Sequence, residues 1–207
     1  MARRAPDALK DVIRDFRRDQ LIDTARRLFG ERGTTDVSMD EIAAEAGVAR
    51  STVYVYFANR DELLLACVQS MYDRLQDTIA LVVDDGATPV ARLRGLMLGV
   101  LERVDESPAF FRLAMATQST TTAAGSEAVG GALMMIGLDM IRVLEDLVVA
   151  GVATGDFRAD LDAERAVVLV GQQIYGALSV RAGEPEPIPA SQAADEICAF
   201  VCRGLGV

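Results

Sequence analysis

The sequence predicts an all-α protein, and three observations carry that expectation. No stretch alternates apolar and polar residues for long enough to read as a strand. Aromatic residues make up only 5% of the 207 residues. Ala, Leu, Arg and Glu are abundant, and apolar positions recur at spacings of three and four. A first helix is expected over Leu9 to Arg32, with Leu21, Ile22, Ala25, Leu28 and Phe29 on one face. It stops at Gly30-Glu31-Arg32-Gly33, a left-handed ending. Ser38 followed by Glu41 forms a capping box that opens a short second helix, which cannot pass Gly47. A third short helix covers Arg50 to Tyr56. Asn59 then caps a fourth, with Glu62 at its third position and a stripe of Leu63, Leu64, Cys67, Val68, Met71, Tyr72 and Leu75.

Asp84-Asp85-Gly86-Ala87 breaks the pattern, and Thr88-Pro89 opens a fifth helix with a cap and a proline at the first helical position. Ser107-Pro108 repeats that signal for a sixth, which carries Phe110, Phe111, Leu113 and Met115. The small, polar stretch from Ser119 to Ser126 reads as a loop. A seventh helix spans Glu127 to Ala153 and ends at Thr154-Gly155. The eighth runs from Asp162 to Ala182, and the ninth from Ala190 to Arg203. Between them, Gly183 to Pro189 holds three prolines and forms a linker. Nine helices result, three of them short and crowded near the N-terminus.

Composition excludes several classes of chemistry. There is no His, so imidazole acid–base catalysis, Ser–His or Cys–His nucleophile pairs and His-ligated metals are absent. No glycine-rich phosphate loop or metal-ligand spacing appears, and no cofactor is implied. An enzyme is not expected. No run approaches the ~18–20 apolar residues that span a bilayer. The basic start leads into charged sequence rather than an apolar signal core. Three scattered cysteines make no disulfide framework, which fits a reducing cytoplasm. Cys198 and Cys202 lie one helical turn apart and read as small buried residues rather than a redox pair.

The net charge of -10 argues, taken globally, against nucleic acid. Its distribution removes that objection. Residues 1–60 hold 11 basic and 10 acidic side chains, and the remainder 10 and 21. The first part is near neutral with clusters at Arg3-Arg4, Arg17-Arg18 and Arg26-Arg27. Nearly all the acidity therefore lies in the second part, which suggests two jobs in one chain.

Residues 38–57 carry the functional signal. Two short helices joined by Ala46-Gly47-Val48 form a helix-turn-helix, the glycine supplying the sharp turn. Ile42, Ala43, Ala46, Val48, Val53 and Phe57 can face inward, leaving Arg50, Ser51, Thr52, Tyr54 and Tyr56 outward or sideways. Arg offers a fork for guanine, and hydroxyls suit base edges and phosphates. From the spacing alone, a major-groove reader and an ordinary helical hairpin with a polar face both remain open.

The stretch from Arg18 to Leu64 resembles the DNA-binding domain of the tetracycline-repressor (TetR) family. The resemblance rests on Ala25-Arg26-Arg27-Leu28-Phe29, Gly33, Ser38-Met39-Asp40-Glu41-Ile42-Ala43, Ala46-Gly47-Val48, Val53-Tyr54-Val55-Tyr56-Phe57 and Arg60-Asp61-Glu62-Leu63-Leu64. It covers about a quarter of the chain; the helix count and the Gly155–Asp162 stretch extend it. It implies a two-domain architecture: a DNA-binding domain over residues 1–62, with 1–8 as a flexible arm, and a helical effector and dimerisation domain over 63–207. Arg50, Ser51 and Thr52 would then contact base edges or nearby phosphates, Tyr54 and Tyr56 the backbone, and Arg60 a phosphate in place of the usual lysine. Ser38 caps the second helix at a phosphate. Ala49 departs from the family, where Ser is frequent, so a cap or phosphate contact is lost. Arg3 and Arg4 are either a minor-groove arm or a disordered tail.

The resemblance also implies a homodimer, bound to double-stranded DNA as an inverted-repeat operator and released by a small-molecule effector. The eighth and ninth helices would pair with their symmetry mates through Val167, Val170, Ile174, Leu178, Ile197 and Val201, with Gly171 and Gly176 allowing close packing. Helices four to eight would enclose the effector site, with Phe110, Phe111, Met115, Gln118, Met134, Met135, Leu138, Gln172 and Tyr175 as candidate lining. That mixture suits a largely apolar ligand held by few hydrogen bonds. A cationic ligand stays open if Asp139, Glu145 or Asp146 faces inward. The other reading is a helical dimeric ligand- or protein-binding module without sequence-specific DNA binding.

Overall fold

The computed structural model describes residues 5–33, 36–83, 87–119 and 127–206, and among them places nine α-helices and no strand. In chain order these are α1 (Ala5–Arg32), α2 (Met39–Glu45), α3 (Arg50–Tyr56), α4 (Arg60–Val83), α5 (Pro89–Glu106), α6 (Pro108–Ser119), α7 (Glu127–Thr154), α8 (Ala163–Arg181) and α9 (Ala190–Leu205). The first helix starts at Ala5, earlier than the expected Leu9 and inside the segment read as an arm. Arg3, Arg4 and the loop residues 120–126 lie outside the described residues.

Local chemistry sets the boundaries. The Ser38 hydroxyl accepts from the Glu41 amide at 3.2 Å, and the Ser38 amide donates to the Glu41 carboxylate at 2.8 Å, which completes the capping box. Arg32 donates to the other Glu41 oxygen at 2.5 Å. The Ser38 amide first, then Arg32 and the Ser38 hydroxyl, hold the Glu41 carboxyl down at about 2 from its ordinary 4.5. Helix α3 begins at Ala49 with no side-chain cap, as the Ala49 departure implied. Asn59 accepts from the Glu62 amide at 2.9 Å to start α4, Thr88 from Ala91 at 3.2 Å to start α5, and Asp162 from Arg165 at 3.1 Å to start α8.

The buried apolar residues form two clusters that meet along α4. One gathers Leu21, Ile22 and Phe29 of α1, Ile42 of α2, Val53 of α3, Phe57, and Leu63 and Cys67 of α4. It also takes in Phe110 and Ala114 of α6 and Val129 and Leu133 of α7, so the N-terminal helices complete their core with residues from the second half of the chain. The other cluster packs the end of α4 against α5, α7, α8 and α9 around Leu96, Met97, Leu101, Leu144, Ile174 and Ala194. Each large side chain so buried contributes about 1.5–3 kcal/mol. A buried Arg181 on α8 grips Asp105 of α5 through two hydrogen bonds of 2.7 and 2.6 Å and donates to the Ile188 carbonyl at 2.9 Å, fixing the linker before α9.

The approach of α1 to α6 is closest at Gly30. A methyl there would stand 2.5 Å from the Phe110 amide nitrogen, nearer than any real contact. Gly30→Ala is expected to push the two backbones apart at a cost of about 1–3 kcal/mol, read as a lowered urea midpoint with an unchanged slope. The Glu41 carboxyl gives a second expectation. Because folding lowers its pKa, its stabilisation is fully present above about 4.5 and is lost as pH falls towards about 2. The Ser38 amide resonance should titrate near 2 and not near 4.5, and Glu41→Gln should abolish that transition.

Candidate nucleic-acid interface and effector cleft

Gly47 lies at φ +67°, a backbone conformation that a Cβ disfavours, and so turns the chain between α2 and α3. The turn is closed by Val48 donating to the Ala43 carbonyl at 3.0 Å. Ile42, Val53 and Phe57 are fully enclosed, which fixes the roll of α3 about its axis. Arg50, Ser51 and Tyr54 consequently face solvent, while Thr52 and Tyr56 are half-buried at the edges. Val55 is 77% exposed on the same face and escaped the sequence reading, although Val53 and Phe57 pointing inward already place it opposite them.

Arg50 is held before any partner arrives. Its Nη1 donates to Asp40 Oδ2 at 3.0 Å, its Nε lies 2.9 Å from Asp40 Oδ1, and its guanidinium sits 5.5 Å from the Tyr54 ring centroid. The side chain is thus pre-extended along α3 by a residue of α2. The arginines of α1 act as braces. Arg18 lies 5.5 Å over the Phe57 ring, Arg27 pairs with Glu45, Arg32 pairs with Glu41, and Gln20 donates to the Ala46 carbonyl at 3.3 Å. Ser38 and Arg60 line one open hollow of about 480 Å³ between the starts of α2 and α4, with Asp36, Glu41, Asn59 and Asp61 around it.

In the body, a narrow cleft of about 80 Å³ opens where α1, α4, α5, α6 and α7 meet. Met71, Leu75, Val100, Phe110, Phe111 and Ile136 supply its apolar wall. Of the candidate lining residues, only Phe110 and Phe111 are brought there. Met115 is half-buried on α6, and the Gln118 side chain lies outside the described residues. Met134, Met135, Leu138, Gln172 and Tyr175 face outward, because the apolar contacts of α7 and α8 use the opposite sides of those helices. The acidic residues considered for a cationic ligand do not reach the cleft. Glu145 and Asp146 are exposed, and Asp139 accepts from Tyr72 and from Gln76 at 3.3 Å beside Arg142. Three arginines line the cleft instead: Arg26, Arg74 and Arg103. They come from three helices far apart in sequence, so no spacing announced them.

The residues expected at a dimer interface are placed differently as well. Val167, Val170, Ile174, Leu178 and Val201 are buried in the chain's own core, and Ile197 is packed against it. The outward side of the same helices shows Val168, Leu169, Tyr175, Val180 and Phe200. A Cβ on Gly171 or Gly176 would meet nothing within this chain, so neither glycine serves the internal packing.

Among the described residues no helix is long and apolar enough to cross a membrane. Residues 21–67 match the family described as "Bacterial regulatory proteins, tetR family". Over 190 residues the chain is 25% identical to the HTH-type transcriptional repressor KstR2 of Mycobacterium tuberculosis (strain ATCC 25618 / H37Rv), covering 91% of this chain and 92% of KstR2. It is 37% identical over 81 residues to the HTH-type transcriptional regulator BetI of Rhizobium meliloti (strain 1021), a match spanning 39% of this chain and only 40% of BetI. The solved structure of KstR2 of Mycobacterium tuberculosis aligns with a TM-score of 0.75 at 24% identity, over 91% of this chain and 94% of that one. That of AibR with isovaleryl coenzyme A and operator DNA aligns at 0.70 and 21%, over 89% and 97%. These structural likenesses speak to fold; the family match and the BetI match cover the N-terminal part, and the KstR2 sequence match runs along most of the chain. With its helix-turn-helix built as described, residues 21–67 form a TetR-family DNA-binding domain, and over most of its length the chain is similar to a TetR-family transcriptional repressor.

Proposed function

We propose that this regulator is a homodimeric, cytoplasmic repressor that binds an inverted-repeat operator and is released by a small, largely apolar effector. The carrying observation is the outward face of α3, where Arg50 is pre-extended by Asp40 beside Ser51, Tyr54 and Val55. In this reading Arg50 donates to a guanine edge, Val55 meets a thymine methyl, and Tyr54, Tyr56, Thr52, Ser38 and Arg60 contact the backbone. Residues 1–62 form the DNA-binding head and residues 63–207 the body. The relatives are named as regulators, and AibR is described with both a ligand and operator DNA, which supports a ligand-responsive regulator over an enzyme.

The dimer would form through the outward side of α8 and α9. Leu169, Tyr175 and Phe200 are exposed there, and Gly176 leaves room for a second backbone. A symmetric pair would set the two α3 helices about one DNA turn (~34–36 Å) apart, which fits an inverted repeat. The ligand would shift the population between arrangements of the heads, and by reciprocity operator DNA would weaken ligand binding.

A mobility shift with DNA flanking the protein's own gene tests the DNA reading. Arg50→Ala should cost about 1–3 kcal/mol on the preferred sequence and relax the choice of base. Arg60→Ala should weaken binding to all sequences alike and lower the salt slope by about one. A wild-type protein giving no salt-sensitive shift would favour the module without sequence-specific DNA binding. The dimer is tested by sedimentation: Tyr175→Asp with Phe200→Asp should yield a folded monomer, whereas an unchanged dimer would place the interface elsewhere.

A further inference from the structure

The mouth of the cleft holds more positive charge than its packing needs. Arg26 Nη2 lies 2.8 Å from Asp23, Arg74 lies 3.6 Å from Asp23 and 3.0 Å from Glu106, and Arg103 lies 2.6 Å from Glu106. This chain of ion pairs runs from α1 through α4 to α5, with three cations sharing two carboxylates. Arg74 and Arg103 stand out within residues 61–207, where acidic residues outnumber basic ones about two to one. Pinning three helices would need only one anion for each cation. In addition, the buried Nε of Arg103 has no hydrogen-bond partner among the described residues. Arg92 Nε, away from the cleft, is unpaired in the same way, but Arg103 lines the cleft, and an acceptor placed there would satisfy its buried N–H. Behind the arginines the wall is almost entirely apolar, and the cleft has room for only a few water molecules.

We propose that the cleft binds a slender apolar molecule ending in an anion of the carboxylate or phosphate type. Arg103 and Arg74 hold the anion, which supplies the acceptor that Arg103 Nε lacks. Arg26 completes the positive rim, and the tail lies against Phe111, Leu75 and Ile136. The assignment rests on the ligand-responsive reading above and names the class of its ligand.

Calorimetric titration of the full-length protein with four probes that share an eight-carbon chain tests it: octanoate, octyl phosphate, 1-octanol and octyltrimethylammonium. One of the two anions should bind about tenfold or more tighter than 1-octanol, with the cation weakest. Which anion binds tighter identifies the head group. Arg103→Gln should bring the anion down to the affinity of the alcohol without changing the alcohol itself, and Arg103→Lys should retain part of the preference. Arg94→Gln, which breaks an exposed ion pair with Asp195, should change none of them. If Arg103→Gln fails to fold, Arg74→Gln carries the same expectation. Equal binding of anions and alcohol, an unchanged preference in both Arg103→Gln and Arg74→Gln, or no binding by any probe overturns the assignment. An anion that binds through Arg103 yet leaves the operator shift unaltered would sink the ligand-responsive reading and leave the site standing. Operator release by the alcohol or the ammonium probe alone would do the reverse.

Discussion

The contact between Gly30 and Phe110 joins the two halves of this protein, and the remaining architecture depends on it. Only a residue without Cβ lets the backbone of α1 lie against the start of α6. That approach allows Phe110 to be 99% buried in the same cluster as Phe29 and Phe57. The DNA-binding head is therefore not a separate bead on a string. Its core is completed by α6 and the beginning of α7, so a shift in those helices has to be taken up by α1. Close-packed interiors respond to such a shift by moving as units rather than by deforming smoothly.

Electrostatics divides the labour along the same lines. The arginines of α1 largely brace the helix-turn-helix: Arg18 on Phe57, Arg27 on Glu45, Arg32 on Glu41. On the proposed reading, a small set of side chains placed by helix geometry remains to meet DNA, with Arg50 already extended by Asp40. The acidity concentrated beyond residue 60 disfavours close approach of the body to phosphate, which on the proposed reading leaves the heads to do the binding. At the edge of that acidic body Arg74 and Arg103, joined by Arg26 of α1, are a local inversion of sign. An anionic guest would find them by charge before it found the apolar wall.

Features encoded by neighbours in sequence were legible in advance. The Ser38–Glu41 capping box, the Gly47 turn, the missing cap at Ala49 and the Thr88-Pro89 start each depend on residues within four positions of one another. The roll of α3 is nearly legible too, since Val53 and Phe57 fix it, yet Val55 is absent from the outward set expected from sequence because a valine reads as core. Helix α8 shows where a single sequence runs out. It carries two apolar stripes, Val167–Val170–Ile174–Leu178 and Val168–Leu169–Tyr175–Val180, and periodicity does not say which one faces the chain's own core. The more regular stripe suits a partner by its pattern alone, but α7, α9 and α5 cover it within the chain. The methionines of α7 misled for a similar reason, because Met134 and Met135 look like a pocket lining until the burial of Leu133 turns them outward. Arg26, Arg74 and Arg103 were invisible, since only the packing of α1, α4 and α5 brings them together.

The size of the cleft bears on how a ligand would act. Ligand pockets for drug-sized molecules run to about 300–1,000 Å³, and this one is far smaller, so binding must displace a wall. The walls are not equally firm. Helix α5 is anchored to α8 by Arg181, whose buried guanidinium makes two hydrogen bonds to the exposed Asp105 carboxylate and one to the Ile188 carbonyl. Taking away the carboxylate leaves that buried charge short of acceptors. The side formed by α1 and α4 is closed at the mouth by the Asp23 and Glu106 ion pairs, which are partly exposed, and pairs of that kind contribute at most about 1 kcal/mol each. An anion competing for Arg74 and Arg103 weakens those same pairs. On the proposed reading, the wall that would yield is the one built on α1, and the close seat of Gly30 on Phe110 would carry α6 with it. Opening of the cleft and reorientation of the helix-turn-helix would then be one movement.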